Sequence, residues 1–123
     1  MEGRIVSSQK RFFAILVILI GTSILYSPLL KFDFTNWDDD EYVLKSELVK
    51  SGDVTKAFSE YTVGLYTPLV SMSYMLDYKL FGLESSYYHV ENLLLHLLVC
   101  ILIYALSLYF FKDDIVALLT TAL

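Results

Sequence analysis

Cysteine is nearly missing from this chain. Cys100 is the only one in 123 residues, so no intramolecular disulfide can form. A basic patch is missing too. Nine Lys and Arg stand against 14 Asp and Glu, for a formal charge of −5. That balance excludes ordinary nucleic-acid binding. No acidic residue lies between Arg4 and Asp33. Between Phe12 and Leu30, and again between Leu93 and Phe111, the only ionisable side chains are His96, Cys100 and tyrosines. This argues against an ion or proton path, and so against a transporter component. What fills the chain instead is apolar: 56% of residues are hydrophobic and the mean hydropathy is +0.56. Such a composition is too apolar for a soluble domain and predicts an all-α membrane protein.

The apolar residues come in runs. Phe12 to Leu30 is uncharged, and its length of roughly 28 Å as a helix matches a bilayer core. A first transmembrane helix is expected over 12–30, with Gly21 and Pro28 tolerated there. Arg4, Lys10 and Arg11 precede it, so residues 1–11 are expected in the cytoplasm. A cleaved signal peptide fits less well, because the run is long and Leu25-Tyr26-Ser27 is a poor cleavage site. Residues 31–91 form the expected non-cytoplasmic loop, with 11 acidic and five basic residues. Within it, Asp53 suits the cap of a short helix through Tyr61. Gly64 marks a break, Pro68 suits the first turn of a helix to Phe81, and Gly82 suits its end. Leu69, Met72, Leu76 and Leu80 fall on one stripe of that helix, which reads as an interfacial helix on or near the membrane. A helix packed on a soluble subdomain is the plainer alternative. Residues 92–111 form a second expected span and 112–114 a cytoplasmic turn. Residues 115–123 open a third apolar run of roughly 14 Å, about half a bilayer. The chain is therefore expected to be the N-terminal piece of a longer protein.

Two constellations could carry chemistry. Asn36-Trp37-Asp38-Asp39-Asp40-Glu41-Tyr42 follows the first span and crowds four carboxylates together. Mutual repulsion makes such crowding costly, more so beside a low dielectric. The cluster could bind a divalent cation through Asp38, Asp39, Asp40 and Glu41, magnesium or manganese being the expected ions. It could also supply a general base. The plainer reading is a hydrated loop that obeys membrane topology. Trp37 and Tyr42 suit an interfacial position. The second constellation is His89, Asn92 and His96, spaced i, i+3, i+7 on one helical face at the mouth of the second span. Polar residues there line a cavity or hydrogen-bond to neighbouring helices, and the spacing does not choose between the two. Two histidines seven apart do not make a zinc site. Tyr66-Thr67-Pro68-Leu69 reads, by itself, as a turn leading into a helix.

Taken in order, these segments resemble the N-terminal part of the multispanning membrane glycosyltransferases of the GT-C type that carry tetratricopeptide repeats. That family includes the transmembrane and tetratricopeptide-repeat O-mannosyltransferases and their bacterial relatives. The likeness covers residues 12 to 123. It comprises a first span and the Asp38-Asp39 pair in Asn-Trp-Asp-Asp-Asp-Glu-Tyr-Val. Tyr66 to Leu69 follows, leading through Leu76-Asp77-Tyr78-Lys79-Leu80-Phe81-Gly82-Leu83. Last comes Tyr88-His89-x-x-Asn92-Leu93-Leu94-Leu95-His96. Asp40 and Glu41 extend the cluster beyond the family's usual pair, and Glu91 stands where the family has an apolar residue.

The resemblance implies a GT-C-like helical bundle around a cavity. Of it this chain would hold two full transmembrane helices, the interfacial helix and the start of a third span. It implies transfer of a sugar from a polyprenyl-phosphate donor to an acceptor hydroxyl on protein or glycan. Asp38 and Asp39 would be catalytic, as base or metal-linked acid, and Tyr66, His89, Asn92 and His96 would bind substrate or line the cavity. The fragment alone would be inactive. The setting would be an integral membrane protein of a bacterial inner membrane, or of the endoplasmic reticulum in a eukaryote. The alternative function is a non-enzymatic small membrane subunit or assembly factor. A phosphate-lipid binding module is a variant of that idea, although an acidic loop repels phosphate unless a cation intervenes.

Overall fold

The structure is a computed structural model and describes residues 8–123. Arg4, one of the expected topology signals, lies outside the described residues. Among the described residues there are six α-helices: α1 (Ser8–Tyr26), α2 (Glu47–Ser51), α3 (Val54–Ala57), α4 (Pro68–Phe81), α5 (Ser85–Phe111) and α6 (Asp114–Ala122). A 3-10 turn, Ser27–Lys31, prolongs α1, and a π-helical turn spans Asp40–Leu44. Among the described residues there is no strand, only an isolated bridge between Thr62 and Leu65. The fold is all-helical, and two helical segments, Ser8–Lys31 and Ser85–Phe111, are long and apolar enough to cross a membrane.

The chain divides into two compact units. The first comprises residues 8–28 and 91–123. Its large apolar side chains face outward: Phe12, Ile24 and Leu25 on α1, Leu94 and Leu102 on α5. Its buried residues are smaller or polar, among them Cys100, Ser107, Ala117 and Thr121. This inside-out distribution is the one that helices surrounded by lipid adopt, where small residues allow close approach. Thr121 Oγ1 donates to the Ala117 carbonyl at 2.7 Å, so its hydroxyl is satisfied within its own helix. At the start of α6, Asp113 accepts from the Ile115 and Val116 amides and caps the helix. The expected polar turn is thus shorter by one residue, because Asp114 is already helical.

Asp114 explains why. Arg11, near the start of α1, grips it in bidentate fashion, Nε to Oδ1 at 2.6 Å and Nη2 to Oδ2 at 3.1 Å. The carboxylate is buried while the guanidinium side chain remains about one third exposed. The pair brings the N-terminal ends of α1 and α6 together, as expected if both helices begin on the same side of a membrane.

The second unit comprises residues 29–90. Asp53 caps α3 as expected, accepting from the Thr55 and Lys56 amides. The helix stops at Ala57 rather than continuing to Tyr61. Ser59 turns its hydroxyl back onto the Thr55 and Lys56 carbonyls, and Val63 and Gly64 then take positive φ in a tight reversal. Ahead of α3 lies α2, a helix of one turn and a half with no signal of its own in the apolar pattern. Ser46 accepts from the Val49 amide at its start, and Gly52 closes it at φ 65°.

Helix α4 runs over the expected residues, with Pro68 in the first turn and Gly82 just past the end at φ 66°. It packs on α2 and α3. Its buried residues are Ser71, Met75 and Asp77, whereas Leu69, Leu76 and Leu80 are exposed. The apolar stripe is therefore only partly used against α2 and α3: Met72 and Leu76 face them, while Leu69 and Leu80 stay open. Helix α5 begins at Ser85, ahead of the span expected from Asn92, because no breaker lies between Gly82 and Asn92 and a helix can extend past the lipid.

Breaking the Arg11–Asp114 pair should be asymmetric. Arg11→Leu leaves a buried carboxylate without its cation, whereas Asp114→Asn leaves an arginine that can reach water. In thermal unfolding of the detergent-solubilised chain, Arg11→Leu should lower the midpoint more than Asp114→Asn. Equal shifts would contradict this account.

Candidate functional site

Within the second unit, the acidic run relieves its own repulsion. Asp39 Oδ2 accepts from the Thr35 amide at 2.8 Å and from Thr35 Oγ1 at 3.0 Å. Asp40 and Glu41 both reach Lys45 Nζ, at 2.8 and 3.4 Å. The Lys45 amide donates to the Asp40 carbonyl at 2.8 Å and closes the π turn. Turns of this kind are rare and recur at functional sites, because the extra residue re-aims neighbouring side chains.

Hydrogen bonding to Asp40 first, then the charges of Asp40 and Glu41, raise the Lys45 ammonium above its ordinary value of 10.5. A raised folded-state value means that the tie is whole below pH 10.5 and is lost as pH rises through the raised value. The turn therefore keeps its cation throughout the physiological range.

Asp38 is different. It is exposed and has no partner among the described residues. Together with Asp39 it edges a hollow of about 250 Å³ whose other walls are Tyr42, Thr67, Val70 and Tyr74. Thr67 belongs to the Tyr66–Leu69 step, and its Oγ1 is buried without a partner. The acidic run and that step thus meet at one hollow, through Asp38, Asp39 and Thr67.

The third motif segment supports it. Tyr88 is 2% exposed and is the aromatic hub of this unit. Phe34 meets it edge-on at 5.1 Å, and Tyr74 is tilted against it at 6.0 Å. Its hydroxyl donates to the Gly82 carbonyl at 2.9 Å. Ser85 Oγ and His89 Nε2 both donate to the Phe32 carbonyl, at 3.0 and 3.2 Å. The start of α5 thereby holds the irregular segment that leads into Asp38.

No family model matches this chain, and no curated protein or solved structure matches it.

The remaining expected residues lie elsewhere. Tyr66 donates to the Phe58 carbonyl at 3.2 Å and packs on Tyr61, outside the hollow. His89 is engaged with the Phe32 backbone rather than lining the hollow. Asn92 is exposed. His96 meets Tyr26 edge-on at 5.6 Å and lies 3.9 Å from Cys100 Sγ, wholly within the first unit. Among the described residues no three His, Cys, Asp or Glu side chains gather as a metal-holding group. The four carboxylates do not fit a divalent cation as they stand, since three of them already have Thr35 or Lys45 as partners. Tyr42 and Tyr74, which sequence reasoning did not single out as site residues, do line the hollow. Tyr74 comes round at i, i+4 from Val70 on α4, which was the available signal.

Carboxyl labelling with a carbodiimide and an amine nucleophile should modify Asp38 in preference to Asp39 and Asp40. Lys45→Gln should raise labelling of Asp40 and Glu41 and leave Asp38 unchanged. Tyr88→Ala should destabilise the second unit by about 3–5 kcal/mol, as for other large buried aromatics. Hydrogen exchange over residues 32–44 would report it, and unchanged protection there would refute the hub.

Proposed function

We propose that the chain is the N-terminal part of a membrane glycosyltransferase that moves a sugar from a polyprenyl-phosphate donor to an acceptor hydroxyl, with Asp38 as general base. The observation that carries the proposal is the state of the acidic run. Three carboxylates are engaged locally and one, Asp38, is left unpaired at the edge of a hollow. The likeness to GT-C enzymes supports the reading further, because its Asp-Asp, Tyr-x-Pro-Leu and Tyr-His segments meet in one compact unit. The outward apolar faces of α1 and α5 suit an integral membrane setting.

In this mechanism the acceptor hydroxyl enters the hollow beside Asp38. Its oxygen attacks the anomeric carbon while its proton passes to an Asp38 carboxylate oxygen. The bond from the anomeric carbon to the donor phosphate oxygen breaks, and the electron pair leaves with the phosphate. A phosphate is already a good leaving group, so no acid is required there. Asp39, fixed by Thr35, holds the turn and positions Asp38.

Transfer of labelled sugar from polyprenyl-phosphate donors would be measured in membranes containing the longer parent enzyme. Asp38→Asn should lower the rate by about 10²–10⁴-fold, the usual contribution of a general base. Asp39→Asn should lower it less, and Thr35→Val should mimic Asp39→Asn. Full activity in Asp38→Asn, with the protein present in the membrane, would remove the base from this loop.

A further inference from the structure

A second cleft in the 29–90 unit, separate from the Asp38 hollow, has a different chemistry. It measures about 660 Å³ and lies between α2–α3 and α4. Val49 and Val54 contribute from one side, and Met72, Met75 and Leu76 from the other. Residues 31–91 contain 11 acidic and five basic residues. Even so, the only charged side chains lining this cleft are Lys50 and Lys79. Lys79 is exposed and has no partner among the described residues. Lys50 touches only the largely exposed Glu47, at 3.7 Å. An ion pair that long and that open to water holds its lysine weakly.

The cleft also continues outward. Met72 and Leu76 belong both to its wall and to the apolar stripe of α4, whose other members, Leu69 and Leu80, are exposed. An apolar trough with cations at its rim and an open apolar extension matches one kind of molecule, an amphiphile with an anionic head. We propose that this cleft binds an anionic membrane phospholipid. The headgroup phosphate sits on Lys50 and Lys79, and an acyl chain lies over Met75 and Leu76 and out along the α4 stripe. The lysines thereby supply the cation without which an acidic loop would repel phosphate. The proposal does not depend on the glycosyltransferase reading, since the cleft shares no residue with the Asp38 hollow.

The test uses the full chain purified in detergent. Native mass spectrometry would compare retention of phosphatidylglycerol and phosphatidylcholine with the same acyl chains. Anionic lipid should be retained preferentially, by roughly fivefold for each lysine beside the headgroup. In K50Q/K79Q the preference should vanish, with circular dichroism unchanged because both lysines lie at the surface. Leu76→Gln should weaken retention of both lipids without altering the preference. Equal retention of the two lipids by the wild type would overturn the proposal. So would a preference that survives in K50Q/K79Q, which would place the lipid elsewhere. Displacement by inorganic phosphate as effective as by lipid would make the cleft a site for soluble anions and overturn it as well. Lipid loss on formation of a dimer would assign the cleft to a second copy of the chain.

Discussion

A helix surrounded by lipid must satisfy its own backbone and turn apolar side chains outward, a constraint that two segments of this chain are long and apolar enough to meet. Helices α1 and α5 meet it with long uninterrupted segments whose large side chains are exposed. The burden of specific packing then falls on small and polar residues and on the Arg11–Asp114 ion pair, of which the carboxylate is buried and the arginine partly exposed. The unit formed by residues 29–90 has a different problem. Its buried apolar set is small, chiefly Val43, Val49, Ala57, Met75 and Tyr88. Units of that size are marginal on burial alone. Local devices therefore carry much of the order: the Ser46 and Asp53 caps, the glycine terminations at Gly52 and Gly82, and the Tyr88 hub.

Electrostatics sets the chemistry within that unit. Four adjacent carboxylates cannot all stay unpaired without strong repulsion. Thr35 and Lys45 relieve three of them, and in doing so they fix the turn that carries the fourth. The same ties that stabilise the loop leave Asp38 as the one carboxylate of the four without a partner among the described residues. His89 supports the segment ahead of it through the Phe32 backbone.

Much of the architecture was legible from local signals. Pro68 and Gly82 set the ends of α4, Asp53 announced its cap, and the apolar runs marked α1 and α5, because each rests on chemistry within a turn or two. What stayed hidden depends on distance. Arg11 and Asp114 are 103 residues apart, and no pattern pairs them. The π turn needs Lys45 to close it, which spacing alone does not require. The Leu69–Leu80 stripe was visible, but not that only its Met72–Leu76 edge, beside Met75, would face α2, a helix too short to announce itself. At the site, the Asp38-Asp39 pair stands out in the sequence as a candidate, while Tyr42 and Tyr74 and the division of partners among the acids emerge only from tertiary contacts.

The account stands or falls on Asp38 acting as a proton acceptor rather than as a solvated charge. The most direct measurement is chemical rescue. Asp38→Gly and Asp39→Gly would be placed in the parent enzyme, and sugar transfer from a polyprenyl-phosphate donor followed with increasing formate. The account predicts that formate restores transfer in Asp38→Gly, where a small carboxylate can fill the vacated place, and not in Asp39→Gly, whose loss disturbs the turn. Undiminished transfer in Asp38→Gly without formate would contradict it.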